Sequence, residues 1–256
     1  MYGAIIGDLA GSIYEYDQIK KIKSIKVNEI IEDNAFYSDD TILTIAIADA
    51  ILNGGDYGKY LRQYVQLYSS YKPNFEPYFK TPFSLGLMKW AKSDVTGTSV
   101  GNGAMMRISP VGYMFNKEED VIKNARLATI PSHNSEDAIL SATKIALIIY
   151  YIRNGLSLNE IYTKLNISLK LTSFTKFNTA CNETIDNCLY VLYNSGCFED
   201  AIRKIISLGG DTDTNACIVG SMAEALYGID NELIIRANSK LPNEFVKVLK
   251  LARNSK

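Results

Sequence analysis

The sequence is poor in the residues that usually bind transition metals. Its 256 residues include one histidine, His133, and four cysteines, and no two cysteines stand in a C-x-x-C motif. A zinc site is hard to assemble from so few ligands, and the thiols are expected to be reduced and mostly buried. Any metal ion in this protein must therefore be bound by oxygen atoms.

Excess charge and long apolar runs are also missing. The chain has 27 Lys and Arg against 28 Asp and Glu, a net charge of −1, so no broad electrostatic attraction toward nucleic acid or anionic membranes is expected. No apolar run approaches the roughly 18 residues that cross a bilayer. The N-terminus lacks the basic and then apolar layout of a signal peptide. We expect a cytoplasmic protein, and a monomer.

Linkers and alternating strand patterns are absent as well, and 47% of the residues are hydrophobic. The sequence therefore predicts one domain over residues 1–256, an all-α orthogonal bundle of many helices. Residues 73–82 are predicted to be a loop, and Pro110 and Gly112 to end a short helix begun near residue 104. The other predicted helices cover residues 1–16, 42–52, 57–71, 121–128, 136–152, 158–165, 178–192, 198–206, 216–226 and 241–253.

The stretch Ser207-Leu-Gly-Gly-Asp-Thr-Asp-Thr-Asn-Ala216 predicts a glycine turn that ends in a helix N-terminus. The helix dipole and free backbone N–H groups at such a site keep Asp211 and Asp213 ionised even when they are partly buried. Ionised, buried acids need a cation, and no Lys or Arg lies within the stretch. Helix capping explains one of these acids well and the second poorly, so a bound metal ion and plain capping both remain open here.

A second copy of the arrangement occurs at Phe36-Tyr-Ser-Asp-Asp-Thr41, before a segment that is apolar all round and predicts a buried helix. The first helix carries Gly3, Gly7 and Gly11 on one face, which favours close packing against another helix, and is expected to end near Glu15. The lysine-rich residues 17–34 that follow predict a solvated loop anchored by isoleucines, or else a mobile flap near the site.

A third stretch, Gly97-Thr-Ser-Val-Gly-Asn-Gly103, is rich in glycine and small hydroxyl residues. It could form a backbone-lined concavity for a phosphate, although a structural turn is the commoner explanation. Arg107 could contact that phosphate or form an ordinary salt bridge. Nothing near His133 in the sequence distinguishes it from a structural histidine.

The two acidic helix starts and Glu15 together offer hard oxygen ligands. Such a set suits Mg²⁺, with Mn²⁺ as the other candidate, and the number of acids suits two ions rather than one. Paired ions of this kind can orient hydroxyl groups and activate a water molecule.

These motifs resemble those of the ADP-ribosylglycohydrolase (ADP-ribosyl-acceptor hydrolase) family, which includes dinitrogenase reductase-activating glycohydrolase. The similarity runs in the family's order through nearly the whole chain: Gly3-Ala-Ile-Ile-Gly-Asp8, Gly11-Ser-Ile-Tyr-Glu15, Ser38-Asp-Asp-Thr41, Gly101-Asn-Gly-Ala-Met-Met-Arg107, Ser109-Pro-Val-Gly112, Ser132-His133 and Leu208-Gly-Gly-Asp-Thr-Asp-Thr214. The sequence departs from the family at Ser38, where Thr is common, and at Met105 and Met106, which replace a smaller pair. These departures remove no oxygen ligand but alter the shape of the pocket.

The resemblance implies an all-α fold with two Mg²⁺ ions at converging helix N-termini. The implied metal ligands are Ser38, Asp39, Asp40, Asp211, Asp213 and Thr214, with Glu15 beside the ions. The implied binding residues for ADP-ribose are Gly97, Thr98, Ser99, Val100, Gly101, Asn102, Gly103 and His133.

The function that this resemblance implies is hydrolysis of an N- or O-glycosidic bond at the anomeric carbon of ADP-ribose, with catalysis by Glu15, Asp39, Asp40 or Asp211. The acceptor stays open among arginine, serine, a nucleic-acid base and O-acetyl-ADP-ribose. One alternative is a relative that binds ADP-ribose without turning it over. A diphosphate enzyme of the isoprenoid-synthase type fits less well, because further acids at helical spacing should follow Asp39-Asp40.

Overall fold

The computed structural model describes residues 1–76, 81–174 and 176–254 and contains fourteen helices within them. They are α1 (Tyr2–Lys20), α2 (Asp39–Leu52), α3 (Tyr57–Leu67), α4 (Leu85–Ala91), α5 (Gly103–Met106), α6 (Ser109–Met114), α7 (Glu118–Thr129), α8 (Glu136–Arg153), α9 (Leu158–Lys164), α10 (Cys181–Tyr193), α11 (Phe198–Ser207), α12 (Thr212–Tyr227), α13 (Asn231–Ser239) and α14 (Asn243–Asn254). No strand occurs in these three stretches, and the all-α prediction is confirmed.

Helices α1 and α12 pack together at the centre of the bundle through the glycine face of α1. A Cβ atom at Gly7 would lie 2.0 Å from the carbonyl oxygen of Ala216, and one at Gly11 would lie 2.3 Å from that of Thr212. Such distances are below any van der Waals contact, so only glycine allows this approach. The glycine spacing thus predicted a helix contact that the structure confirms. It also brings the C-terminal half of α1 against the start of α12.

Around this pair lie helices whose apolar side chains fill a continuous core. Helix α2 is buried on almost every side, as its composition predicts, with Ile42, Leu43 and Ile45 fully inaccessible to solvent. The predicted burial of the thiols holds for Cys181, Cys188 and Cys217, whereas Cys197 is exposed. Within the described residues, no helix is both long and apolar enough to span a membrane.

The prediction that α1 ends near Glu15 was wrong, because the helix continues to Lys20. The buried side chain of Gln18 explains the extension: its Oε1 accepts hydrogen bonds from the backbone N–H of Lys23 (2.9 Å) and of Gly210 (3.3 Å). Glu15 therefore lies on a continuous helix whose end is fastened to the glycine turn. The following residues form a loop anchored by buried Ile30 and Ile31, as predicted.

Other differences concern short helices. Pro110 and Gly112 do not end a helix but lie inside α6, where proline occupies the first turn and needs no N–H partner. Helices α4 and α13 were not predicted. Part of the predicted loop at residues 73–82 lies outside the described residues, and its described positions are not helical.

Candidate active site

The packing of α1, α2 and α12 brings six acidic side chains together. Thr214 Oγ1 donates a hydrogen bond of 3.2 Å to Asp40 Oδ2, which joins the starts of α12 and α2. Carboxylate oxygens of Asp8, Asp40 and Asp213 lie within 4.8 Å of one another, and so do those of Glu15, Asp211 and Asp213. We call these the inner and the outer triad; they share Asp213.

Asp8 is a member of this cluster that sequence reasoning assigned no role. Its Oδ2 accepts hydrogen bonds from the backbone N–H of Ser38 (2.9 Å) and Thr41 (3.1 Å) and from the Thr41 hydroxyl (2.6 Å). Asp8 thus caps α2 from a neighbouring helix, while its Oδ1 is buried without a partner. An acid inside the apolar glycine-rich face of α1, seven residues before Glu15, was the signal that could have identified it.

Helix capping accounts for some residues of the two acidic motifs but not for others. The Ser38 hydroxyl accepts a hydrogen bond from the Asp40 N–H and caps α2. Asp211 stands at the N-cap position of α12, but its side chain makes no capping hydrogen bond. Its Oδ2 instead accepts a 2.7 Å bond from the amide of Asn102. Capping therefore leaves the Asp211 carboxylate unexplained.

Asp39 lies apart from both triads and lines the wall of the adjoining cavity. Burial, together with the charges of Asp8 and Asp211, raises its pKa to about 8. Burial and the charges of Asp211, Asp39 and Asp8 likewise raise the pKa of Glu15 to about 8. Asp8 is raised less, to a pKa of about 6, because the hydrogen bonds from Ser38 and Thr41 oppose the effect of burial.

The remaining acids follow the same pattern. Burial and neighbouring carboxylates raise the pKa of Asp40 and of Asp213 well above the usual range, and burial raises that of Asp211. None of the ion pairs found within the described residues includes any of the six acids. No ion pair within the described residues therefore offsets the repulsion among these carboxylates.

A divalent cation fits this arrangement on the chemistry of its donors. The oxygens Asp8 Oδ1 and Asp40 Oδ1 are buried and accept no hydrogen bond, which is costly for a carboxylate unless a cation binds it. All donors are hard oxygen ligands of the kind that Mg²⁺ and Mn²⁺ prefer. Fourteen of the fifteen site residues predicted from the sequence, together with Asp8, surround this cluster and the cavity beside it.

The cavity has a volume of about 430 Å³ and opens next to the outer triad. Its wall includes most of the sequence-predicted residues: Glu15, Ser38, Asp39, Gly97, Thr98, Ser99, Gly101, Asn102, Gly103, His133, Asp211, Asp213 and Thr214. Asp40 lies behind the wall in the inner triad. Val100 does not line the cavity, since its side chain is 55% exposed at the surface.

The glycines of residues 97–103 have different reasons to be glycine. A Cβ atom at Gly97 would lie 2.4 Å from the carbonyl oxygen of Ser132, so the close approach of two backbone segments excludes any side chain there. At Gly101 and Gly103 the nearest atoms would be 3.3 Å away, and neither residue has a positive φ. The lack of a side chain at Gly101 and Gly103 leaves space on the cavity wall. Close backbone packing does not require it.

Arg107 was predicted to contact a phosphate or to form a salt bridge. It is 1% exposed, lines the cavity and takes part in none of the ion pairs in the described part of the chain. Its Nη2 donates a 2.6 Å hydrogen bond to the Ser132 hydroxyl, while Nε and Nη1 are buried without partners. Ser132, which had no predicted role, therefore bonds to Arg107 within the cavity wall.

Comparison with known proteins agrees with this geometry. The family described as ADP-ribosylglycohydrolase matches residues 1–252. The chain belongs to this family. ADP-ribosylglycohydrolases are hydrolases that act on ADP-ribosyl glycosidic bonds, and membership leaves the isoprenoid-synthase alternative without support.

Curated relatives include an ADP-ribosylarginine hydrolase, Tri1, of Serratia proteamaculans, 21% identical over 90% of this chain and 71% of that protein. Human ADP-ribosylhydrolase ARH3 is 23% identical over 89% of this chain and 84% of its own length. A solved structure, an ADP-ribosylglycohydrolase-related protein complex, matches with a TM-score of 0.74 at 18% identity and covers 100% of this chain and 96% of its own. At that identity the structural match shows the fold alone.

Proposed function

We propose that this ADP-ribosylglycohydrolase family member is an Mg²⁺-dependent hydrolase, built as one domain over residues 1–256, that releases ADP-ribose from a modified acceptor. The observation that carries the proposal is the pair of carboxylate triads that share Asp213, set beside a cavity with a glycine-rich wall. Two triads that share one residue would suit two ions better than one. Mn²⁺ has the same donor preference and is the expected substitute.

The inner triad and the outer triad would each hold one ion. The residues available to them are Asp8, Glu15, Ser38, Asp39, Asp40, Asp211, Asp213 and Thr214. When bound, such ions supply positive charge that orients substrate hydroxyl groups and offsets charge as the glycosidic bond breaks. Asn102 supports this centre indirectly, because its amide holds the Asp211 carboxylate in position.

Glu15 is the group best suited to accept a proton from the attacking water. Its side chain lines the cavity, and its pKa is raised to about 8 by burial and by Asp211, Asp39 and Asp8. A base must be unprotonated to act, and the positive charge of bound ions would lower this pKa and favour the carboxylate form. In this step the water oxygen bonds to the anomeric carbon and Glu15 takes the water proton. The acceptor nitrogen or oxygen leaves with the electron pair of the broken bond and takes up a proton from solvent or from protonated Glu15. Asp39, which lines the cavity outside both triads, is the second candidate base.

The other wall of the cavity is suited to the diphosphate and adenosine side of ADP-ribose. Gly101 and Gly103 let a ligand approach the backbone, and the cationic Arg107 lines the cavity beside His133 and forms no ion pair within the described residues. Local positive charge and accessible backbone N–H groups are the usual means of binding phosphate. With a net charge of −1, the chain must attract an anionic ligand through such local charge.

The acceptor is tested by measuring ADP-ribose release from a panel of substrates. We expect Mg²⁺-dependent release from at least one of ADP-ribosyl-arginine, ADP-ribosyl-serine, ADP-ribosylated nucleic acid and O-acetyl-ADP-ribose. Arginine is the first to examine, because the Serratia relative is named an ADP-ribosylarginine hydrolase. ADP-ribose binding without release from any of them would instead identify an inactive binding protein.

A further inference from the structure

The ring of His133 is held by hydrogen bonds with the side chains of Arg107 and Ser132. Arg107 Nη2 donates a 2.6 Å hydrogen bond to Ser132 Oγ, and Ser132 Oγ lies 2.7 Å from His133 Nδ1. Arg107 Nη2 also lies 3.4 Å from the same ring nitrogen. All three residues are buried, with exposed fractions of 1% for Arg107, 4% for Ser132 and 6% for His133.

The donors in this chain determine where the ring proton lies. A guanidinium group can only donate, so Ser132 Oγ accepts from Arg107 and has its own hydrogen left to donate. Among the described residues, the acceptor within reach of that hydrogen is Nδ1, and this bond forms when Nδ1 is unprotonated. With a proton on Nδ1, the hydroxyl hydrogen would lose this acceptor and the ring N–H group would lie beside an Arg107 N–H group. The neutral ring therefore carries its single proton on Nε2.

Electrostatics favours the same state. Burial and the positive charge of Arg107 both lower the pKa of His133, well below its usual value. The charged and titratable groups that act on Arg107 in turn are Asp39 and Cys181. A second positive charge on the ring would be placed beside a buried guanidinium, so the ring remains neutral.

The Nε2 atom faces the glycine-rich wall of the cavity. A Cβ atom would lie 3.3 Å from Nε2 if built on Gly103 and 3.8 Å from it if built on Gly101. Among the described residues, no hydrogen-bond acceptor for Nε2 is found. The N–H group at this position is thus available to a ligand in the cavity.

We propose that Arg107 and Ser132 are positioning residues that fix His133 as a neutral donor, so that its Nε2–H group binds an anionic oxygen of the ligand. The positive charge of Arg107, whose Nε and Nη1 have no hydrogen-bond partner, lies beside the ring, which favours an anionic acceptor over a neutral one. That this oxygen belongs to the diphosphate of ADP-ribose rests on the proposed function. The protonation state of the His133 ring does not depend on the proposed function.

The backbone around the three residues is stiff enough to maintain this arrangement. Gly97 N–H donates to Pro131 O (2.9 Å), and Ser99 N–H donates to Ser132 O (3.2 Å). The segment with Ser132 and His133 is therefore tied to the glycine-rich loop, and a change at Ser132 Oγ alters the ring without releasing the backbone.

Nitrogen-15 NMR of histidine-labelled protein tests the proposal directly, because His133 is the only histidine in the chain. In the wild type we expect a neutral ring protonated on Nε2, with no titration down to about pH 5, well below the usual histidine pKa of about 6.5. Ser132→Ala should shift the Nδ1 signal and increase the share of the Nδ1–H tautomer, because only the Arg107 Nη2–H group, 3.4 Å away, then remains to bond Nδ1. Arg107→Met should bring the ring pKa up toward the usual range.

The exposed neighbour Asn134 supplies the matched control, and Asn134→Ala should leave both ring signals unchanged. If Arg107→Met does not fold, Ser132→Ala alone still tests the chain of hydrogen bonds. A wild-type ring protonated on Nδ1, an ordinary titration near pH 6.5, or unchanged signals in Ser132→Ala would overturn the proposal.

Binding of inorganic diphosphate and of ADP-ribose tests what the donor recognises. Both should shift the Nε2–H signal of the wild type, whereas free ribose should not. Ser132→Ala should weaken ADP-ribose binding by about 10-fold, the loss expected for one charge-assisted hydrogen bond, and should raise KM far more than it lowers kcat. Equal loss in KM and kcat, or no shift with diphosphate, would contradict the recognition role. A fixed ring in a protein without hydrolase activity would refute the proposed function alone.

Discussion

Thr214 Oγ1 donates a 3.2 Å hydrogen bond to Asp40 Oδ2, and this contact joins two helix starts that lie 174 residues apart in the chain. Both starts carry a hydroxyl and two acids. The contact places Asp213 where it belongs to both carboxylate triads. The arrangement concentrates negative charge at one point, and a metal centre is the physical reason we propose for it.

Replacing Asp8 tests whether the inner triad binds metal. Asp8→Asn retains an oxygen that can cap α2 but removes half of the carboxylate and its charge. We expect loss of at least one bound ion and a fall in turnover on the order of 10² or more. The metal-free variant should be at least as stable as metal-free wild type, because one repelling charge is gone.

Metal analysis and thermal denaturation on the same preparations check this expectation. Asp17→Asn is the matched control, since Asp17 is an exposed acid of the same helix that pairs with Lys23. Retention of all bound metal by Asp8→Asn, with normal turnover, would contradict a ligand role for Asp8.

Substitutions at Glu15 and Asp211 distinguish proton transfer from metal binding. Glu15→Gln keeps the size of the side chain but removes the base, so turnover should fall on the order of 10² or more while most ADP-ribose affinity remains. Asp211→Asn should release metal and weaken ADP-ribose binding. Calorimetry, metal content and product release should be measured on both variants. If Glu15→Gln loses metal as completely as Asp211→Asn does, Glu15 is a ligand and not the base.

The same substitution at two glycines of the cavity wall should have different effects, one on binding and the other on stability. Gly103→Ala puts a methyl group 3.3 Å from His133 Nε2 and should weaken ADP-ribose binding with little loss of stability. Gly97→Ala places its methyl group 2.4 Å from Ser132 O and should cost about 1–3 kcal/mol of stability through overpacking. Urea unfolding and calorimetry distinguish the two. Comparable destabilisation by both substitutions would mean that Gly103 is needed by the fold.

The stability of the metal-free protein should depend on pH in a defined direction. The pKa values of Asp8, Glu15 and Asp39 are raised by burial to about 6, 8 and 8, so the folded state binds more protons than the unfolded state. Its free energy of unfolding should therefore fall as the pH rises from about 4, the usual carboxyl pKa, to about 8.

Urea unfolding in EDTA across this range measures the effect, and Glu15→Gln should show a shallower fall. Because Mg²⁺ competes with protons for the same carboxylates, the stabilisation it gives should be larger at about pH 8 than at about pH 6. Metal-free stability that stays constant or rises over this range would contradict the charge cluster.

Much of the fold was predictable because the informative features are local. The glycine face of α1 predicted its contact with α12, and the apolar composition of α2 predicted its burial. The end of α1 was not predictable, because the Gln18 side chain that fastens it bonds to Gly210, a residue distant in sequence, as well as to nearby Lys23. Helix α6 was missed because proline in a first turn has the same local signature as proline after a helix end.

The acidic motifs indicated where the site lies but not how its members are arranged. Asp8 escaped notice because a single acid in an apolar stripe gains meaning only when α2 packs against it. Asp39 and Asp40 are adjacent in sequence, yet only Asp40 belongs to a triad, since successive helical residues point in different directions. The positions of Ser132 and Arg107 depend on contacts between distant segments, which no local pattern encodes.

The most direct test of the account is removal and return of the metal. Protein stripped with a chelator, with metal content verified, should release no ADP-ribose from the acceptor that the wild type accepts. Adding Mg²⁺ should restore release as two ions bind per chain, Mn²⁺ should substitute for it, and Zn²⁺ should do so poorly. Full ADP-ribose release by verified metal-free protein would contradict the account.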